Sequence, residues 1–164
     1  MVMDKKIQKL SELLKIRKQL KQQKKKVVFT NGCFDILHSG HVYLFREAKK
    51  RGDVFMVAVN DDASVKKIKG ASRPIFPLKE RLEVLEAIEE IDYLTSFSEE
   101  TPQKIIALLL PDVLVKGGDW KPEEVVGKAE IERAGGKVVI IPYLKGQSSS
   151  EIIDRIIRSV KDKN

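Results

Sequence analysis

Short apolar runs recur along this chain of 164 residues, and longer stretches of helical periodicity fill the intervals between them. Near the start, Ile7, Leu10, Leu13, Leu14, Ile16 and Leu20 stand at broadly helical spacing among polar residues, which predicts an amphipathic helix over 4–23. Such a helix can pack on its own domain, pair with a second copy, or link to another domain. From residue 27 the pattern changes. Residues 27–30, 54–59, 92–95, 113–115 and 138–141 read as short strands, and 42–50, 78–89 and 150–161 as helices. In the helix over 78–89, Leu82, Val84, Leu85 and Ile88 are expected to face inward. In the last helix, Ile152, Ile153, Ile156, Ile157 and Val160 share one face. Thr101 followed by Pro102 predicts an N-cap and a proline at the first helical position, opening a helix through Leu110. The polar stretch from 60 through 77 reads as a loop.

Strands that are apolar along their whole length, separated by helices, imply a parallel sheet covered on both faces. The expected fold is a doubly wound α/β domain. Ligands bind such sheets beyond the carboxyl ends of the strands, near the point where strand order reverses. Four loops are thereby expected to converge, over 31–40, 60–77, 116–122 and 144–150.

Length and a hydrophobic fraction of 42% fit one compact domain with a working core. The division expected is a basic amphipathic helix over 1–26 and a single domain over 27–164. The net charge of +7 would raise nucleic acid as a partner, but residues 1–26 alone carry +8 and the remainder is nearly neutral. The basicity belongs to one segment without interleaved aromatics, so no nucleic acid partner is expected. No apolar run approaches the roughly 20 residues of a membrane span, and the start lacks the order of a secretory signal, so no membrane partner and a cytoplasmic location are expected. The single cysteine, Cys33, excludes an internal disulfide framework and a multi-cysteine zinc site.

The candidate chemistry begins at the first loop, Thr30-Asn31-Gly32-Cys33-Phe34-Asp35-Ile36-Leu37-His38-Ser39-Gly40-His41, which holds both histidines of the chain at a strand-to-helix turn. Gly32 lets backbone N–H groups approach an anion closely, and the spacing of the histidines around Gly40 lets both rings face one phosphate. Two histidines without a third matched ligand make a poor zinc site, and no resident metal is expected. Ser148 to Glu151 spells a capping box, and the N-terminus of the helix it opens is also a seat for phosphate.

His38-Ser39-Gly40-His41 resembles the HxGH signature of the nucleotidyltransferase superfamily that contains the cytidylyltransferases and several adenylyltransferases. Lys116-Gly117-Gly118-Asp119-Trp120 falls where those enzymes carry a pocket-lining loop. Gly146 through Ile153 is similar to their G-x-S-[ST]-[ST] turn before the last helix. The resemblance implies a Rossmann-like five-stranded parallel sheet of order 3-2-1-4-5. Within the superfamily, residues 29–41, 60–70, 73–77, 112–127 and 146–153 most resemble the adenylyltransferases that join AMP to D-glycero-β-D-manno-heptose 1-phosphate, making ADP-heptose for lipopolysaccharide. In many bacteria that activity is one half of a bifunctional kinase/adenylyltransferase. The likeness therefore implies a stand-alone adenylyltransferase, with the heptose kinase a separate polypeptide, ATP and a sugar 1-phosphate as substrates, Mg²⁺ arriving with ATP, and a homodimer.

Carried over residue by residue, the resemblance assigns His38 and His41 to the nucleotide phosphates, with Lys69 and Arg81 as further catalytic groups. It assigns Thr30, Asn31, Gly32, Cys33, Phe34, Gly40, Lys66, Gly117, Asp119, Ser148, Ser149 and Ser150 to the nucleotide, and Asp35, Lys116 and Trp120 to the acceptor. The rival reading is a cytidylyltransferase for glycerol 3-phosphate or a similar alcohol phosphate. Those enzymes usually carry R-T-E-G-I-S-T-T, where this chain has Tyr143 in place of the arginine. A reading of another class is a non-catalytic protein that binds a nucleotide or nucleic acid.

Overall fold

A computed structural model describes residues 6–118, 120–142 and 148–161. Five strands, β1 (Val27–Gly32), β2 (Val54–Asn60), β3 (Tyr93–Phe97), β4 (Val113–Gly117) and β5 (Lys137–Ile141), form one sheet. All are parallel, in the order β3-β2-β1-β4-β5. The first strand lies at the centre of the sheet, from which the chain builds outward to one edge, then returns and builds to the other. The reversal lies between β1 and β4, so their C-terminal loops flank the crevice.

The helices are α1 (Leu10–Gln22), α2 (Ser39–Lys49), α3 (Asp62–Lys69), α4 (Leu78–Glu86), α5 (Gln103–Leu109), α6 (Lys128–Arg133) and α7 (Ser149–Lys161), with a 3-10 turn over Pro122–Glu124. Side chains alternate across the strands and so build two cores. Val28, Phe55, Val57, Val59, Val113 and Val115 meet Phe45 and Ala48 of α2 and Leu85 of α4 on one face. Val27, Phe29, Met56, Ala58 and Leu114 meet Leu13 of α1, Ile105, Ile106 and Leu109 of α5, and Ile131 of α6 on the other.

Of the three roles open to the first helix, it packs on its own domain. Leu13 is wholly buried, and Arg17 donates from Nε to the Leu109 carbonyl and from Nη2 to the Leu110 carbonyl and Asp112. Ahead of the helix, Gln8 N–H donates to the Leu94 carbonyl and Leu94 N–H to that of Lys6, so the chain is stitched along β3.

Four expectations are corrected. The stretch after β2 is not all loop: α3 starts there because Asp61 caps it, its carboxylate accepting from Ser64 N–H at 2.8 Å. A second unexpected helix, α6, follows Gly127, whose φ of +87° suits glycine. Pro102 occupies the N-cap of α5 instead of the first helical position. Val84 is 53% exposed, because a helix of nine residues places only one stripe against the sheet and Val84 lies off it.

Candidate functional site

The β1–α2 turn organises the crevice. Its backbone bends through Phe34 at φ 46°, a conformation uncommon for a bulky side chain and concentrated at functional turns. That bend lays the Phe34 ring across Gly32, where an added Cβ would stand 2.9 Å from Phe34 Cζ. The glycine thus accommodates an internal aromatic ring. Phe34 in turn meets His41 edge-on at 5.4 Å between ring centroids and Phe45 at 5.3 Å, which fixes the floor on which the histidines stand.

His38 is the N-cap of α2 and His41 lies in its first turn. Their ring centroids are 3.9 Å apart. His38 Nδ1 accepts from Gly40 N–H at 3.1 Å, so the proton of the neutral ring belongs on Nε2. His41 Nδ1 is buried and has no hydrogen-bond partner among the described residues. A proton there would be an unsatisfied donor costing about 1–3 kcal/mol, so the neutral ring again carries its proton on Nε2. Burial lowers both pKa values. Glu151 opposes the shift at His38, whereas the neighbouring His38 adds to it at His41, which falls to about 3. At neutral pH the pair is two uncharged N–H donors side by side, unsuited to general-base work.

Further segments, the end of β4 and the serine turn among them, close a cavity of about 520 Å³. Lys116, at the end of β4, donates from Nζ to Asn31 Oδ1 at 2.6 Å. Burial pulls its pKa down to about 8, with Cys33 opposing. Burial likewise raises the Cys33 thiol, although Lys69, Arg81 and Arg73 pull the other way, so it stays protonated. Ser148 caps α7, its Oγ accepting from Glu151 N–H at 3.1 Å, and Ser149 Oγ donates to the Ile36 carbonyl at 3.1 Å. The serine turn is thereby tied to the histidine loop.

The crevice brings together most of the residues expected from sequence. Thr30, Asn31, Gly32, Cys33, Phe34, Asp35, His38, Gly40, His41, Lys69, Lys116, Gly117, Trp120 and Ser148 to Ser150 all line it. Lys66 and Arg81 do not line it. Lys66 is exposed on α3, while Arg81 lies behind the wall with a side chain that is 0% exposed. Its guanidinium donates to the carbonyls of Phe76, Cys33 and Asn60 and to Asp62. Thr30 Oγ1 donates across the sheet to the Val115 carbonyl. Asp35 is similarly committed: Arg73 Nε and the N–H groups of Ile75 and Phe76 all donate to its carboxylate. Burial alone would raise its pKa, but those donors outweigh it and hold the carboxyl below the usual range. Asp119, Tyr143, Gly146 and Gln147 lie outside the described residues.

The sequence reading gave no role to Tyr43, Ile68 or Glu124 to Val126, which also line the crevice. The Asp61–Ser64 cap was the available signal for α3, the helix that carries Ile68.

The parallel five-stranded sheet, with the histidine pair, Lys116 and the serine-capped helix gathered at its switch-point crevice, fits a nucleotidyltransferase. A family model described as cytidylyltransferase-like matches residues 29–155, and the chain belongs to that family. The bifunctional protein HldE of Shigella flexneri serotype 5b (strain 8401) is 52% identical over 136 residues, 83% of this chain and 28% of its own length. HldE of Yersinia enterocolitica serotype O:8 is 50% identical over 145 residues, 88% of this chain and 30% of its own. The chain thus spans less than a third of these relatives. Among solved structures, the lipopolysaccharide core biosynthesis protein of Thermoplasma volcanium GSS1 is similar with a TM-score of 0.60 at 31% identity, covering 74% of this chain and 98% of that one. Pantoate–β-alanine ligase of Francisella tularensis shares the fold with a TM-score of 0.61 at 17% identity, covering 93% of this chain and 78% of that one.

Proposed function

We propose that the chain transfers AMP from ATP to a sugar 1-phosphate, D-glycero-β-D-manno-heptose 1-phosphate, giving ADP-heptose and pyrophosphate. The observation that carries the reading is the convergence, on one crevice, of two neutral Nε2–H donors, the half-buried cation Lys116 and the serine-capped start of α7. Likeness to the HldE proteins and to a lipopolysaccharide core biosynthesis protein supports the choice of acceptor.

An oxygen of the sugar phosphate attacks the α-phosphorus of ATP in line. The new O–Pα bond forms as the bond to the bridging oxygen breaks, and pyrophosphate leaves with that electron pair. The attacking oxygen is already anionic at neutral pH, so no side chain need deprotonate it. The protein's contribution is placement and charge stabilisation by fixed donors. His38 and His41 donate to the phosphoryl oxygens that gain charge. The free N–H groups of α7 hold the polyphosphate, and Lys69 and Lys116 supply cations. Mg²⁺ enters as part of the ATP substrate. Arg81 and Asp35 act through the loops they hold.

Pyrophosphate release with each nucleoside triphosphate, against a panel of sugar and polyol phosphates, tests this. ATP with heptose 1-phosphate should exceed every other pair, and CTP with glycerol 3-phosphate as the best pair overturns it. Either His38→Ala or His41→Ala should lower turnover on the order of 100- to 1000-fold with the fold intact.

A further inference from the structure

The segment between α3 and α4 carries an arginine whose two ends do different things. Arg73 Nε donates to Asp35 Oδ2 at 2.6 Å, and the N–H groups of Ile75 and Phe76 donate to the same carboxylate at 2.9 Å. The Asp35 side chain is 1% exposed, so both its oxygens are spent inside the protein and neither is free for a ligand hydroxyl. The far end of the arginine is not spent. Arg73 lines the crevice, and its Nη1 and Nη2 make no hydrogen bond or ion pair among the described residues. A guanidinium held through Nε keeps its plane fixed and offers those two nitrogens as a fork, the geometry that receives two oxygens of a phosphate.

The groups around that fork are cations. Lys69 and Lys116 line the same crevice, and both act electrostatically on the Cys33 thiol, as Arg73 does, so the three stand round one point. With Asp35 committed, that point has an excess of positive charge and suits a dianion. Strand order says which phosphate it takes. α7, whose start holds the polyphosphate in the reaction proposed above, follows β5 on one side of β1, whereas Arg73 follows β2 on the other. In-line displacement sets the entering and leaving oxygens on opposite sides of the α-phosphorus. With pyrophosphate leaving towards α7, the entering phosphate lies towards Arg73, and a sugar 1-phosphate brings nearly two negative charges there at neutral pH.

Resting on that transfer reaction, we propose that Arg73 seats the phosphate of the acceptor and that Asp35 is the positioning residue that aims it. Calorimetric titration of D-glycero-β-D-manno-heptose 1-phosphate into the whole chain, saturated with the Mg²⁺ complex of α,β-methylene-ATP, tests this. Arg73→Gln should raise the dissociation constant of the acceptor at least about tenfold, and Arg73→Lys, which keeps the charge without the fork, by less. Each should bind the ATP analogue within about twofold of wild type. Inorganic phosphate should displace the acceptor from wild type and bind Arg73→Gln at least about tenfold more weakly. Asp35→Asn should weaken the acceptor too, yet add little in the Arg73→Gln background, because it acts through the arginine. An Arg73→Gln variant that binds the acceptor within about twofold of wild type overturns the proposal. So does equal loss of acceptor and ATP analogue, the mark of a loop brace alone, or a pair of losses that simply add. If wild type prefers glycerol 3-phosphate with a cytidine analogue, the adenylyl reading falls, and the seat stands or falls on that phosphate by the same variants.

Discussion

Replacing Arg81 by methionine separates two roles that a kinetic loss alone would confuse. The guanidinium is enclosed, with a side chain that is 0% exposed, and it joins four segments: the turn after β1 through Cys33, the end of β2 through Asn60, the start of α3 through Asp62, and the segment before α4 through Phe76. Methionine fills much of the volume but leaves three carbonyls without this donor. Each costs about 1–3 kcal/mol if it stays dry, although some will find water. The Asp62 side chain is 43% exposed and can be rehydrated, so the ion pair itself adds little. The expected loss, from the carbonyls left unmet, is about 3–5 kcal/mol, or a fall in Tm of roughly 6–20 °C for a chain of this size. Arg81→Lys keeps the charge, but a point donor cannot reach all four acceptors, and about 2 kcal/mol should be lost. Urea denaturation followed by circular dichroism measures both. A methionine variant within about 1 kcal/mol of wild type, yet with its turnover gone, would refute the bracing role and place the guanidinium on the substrate.

Three further outcomes are expected. His41 titrates near 6.5 when unfolded and near 3 when folded, so the unfolded chain binds the extra proton between those values and stability falls as pH drops through that window. Between pH 6.5 and 4.5 the loss attributable to His41 should be about 2 kcal/mol, and melts of His41→Phe should show a shallower decline; parallel declines would show that the ring is not the titrating group. Lys116, lowered to about 8, should give kcat/KM a limb that falls above that pH, and Lys116→Arg, which stays charged, should flatten it; a limb persisting in the arginine variant belongs to another group. Gly32→Ala forces a Cβ to within 2.9 Å of Phe34 Cζ, and because that ring is wedged against His41 and Phe45 the change should cost about 1–3 kcal/mol in urea denaturation.

The strands were legible because a parallel sheet buried on both faces demands unbroken apolar runs, such as Val54 to Val59. α3 and α6 were not. Their residues are mostly polar, and each is held by a cap or a turn more than by an apolar stripe. The crevice was legible in the same uneven way. Residues on the β1–α2 turn, the β4 end and the serine turn could be placed from strand order alone, since strand order fixes which loops meet. Arg81 could not: a helix start is equally compatible with an arginine that reaches outward to a ligand and one that reaches backward to loop carbonyls.

What the sequence determined by itself is therefore the class of fold, the family, and the loops that line the crevice. Each is encoded locally, in periodicity and in short motifs such as His38-Ser39-Gly40-His41. The protonation of the side chains on those loops and the division of labour among them were decided only in three dimensions. His41 is neutral because Phe34, Phe45 and His38 surround it, and Asp35 is withheld from solvent because Arg73, Ile75 and Phe76, some forty positions along, close on its carboxylate. Desolvation and long-range hydrogen bonding depend on which distant segments meet, and no window of sequence contains that information.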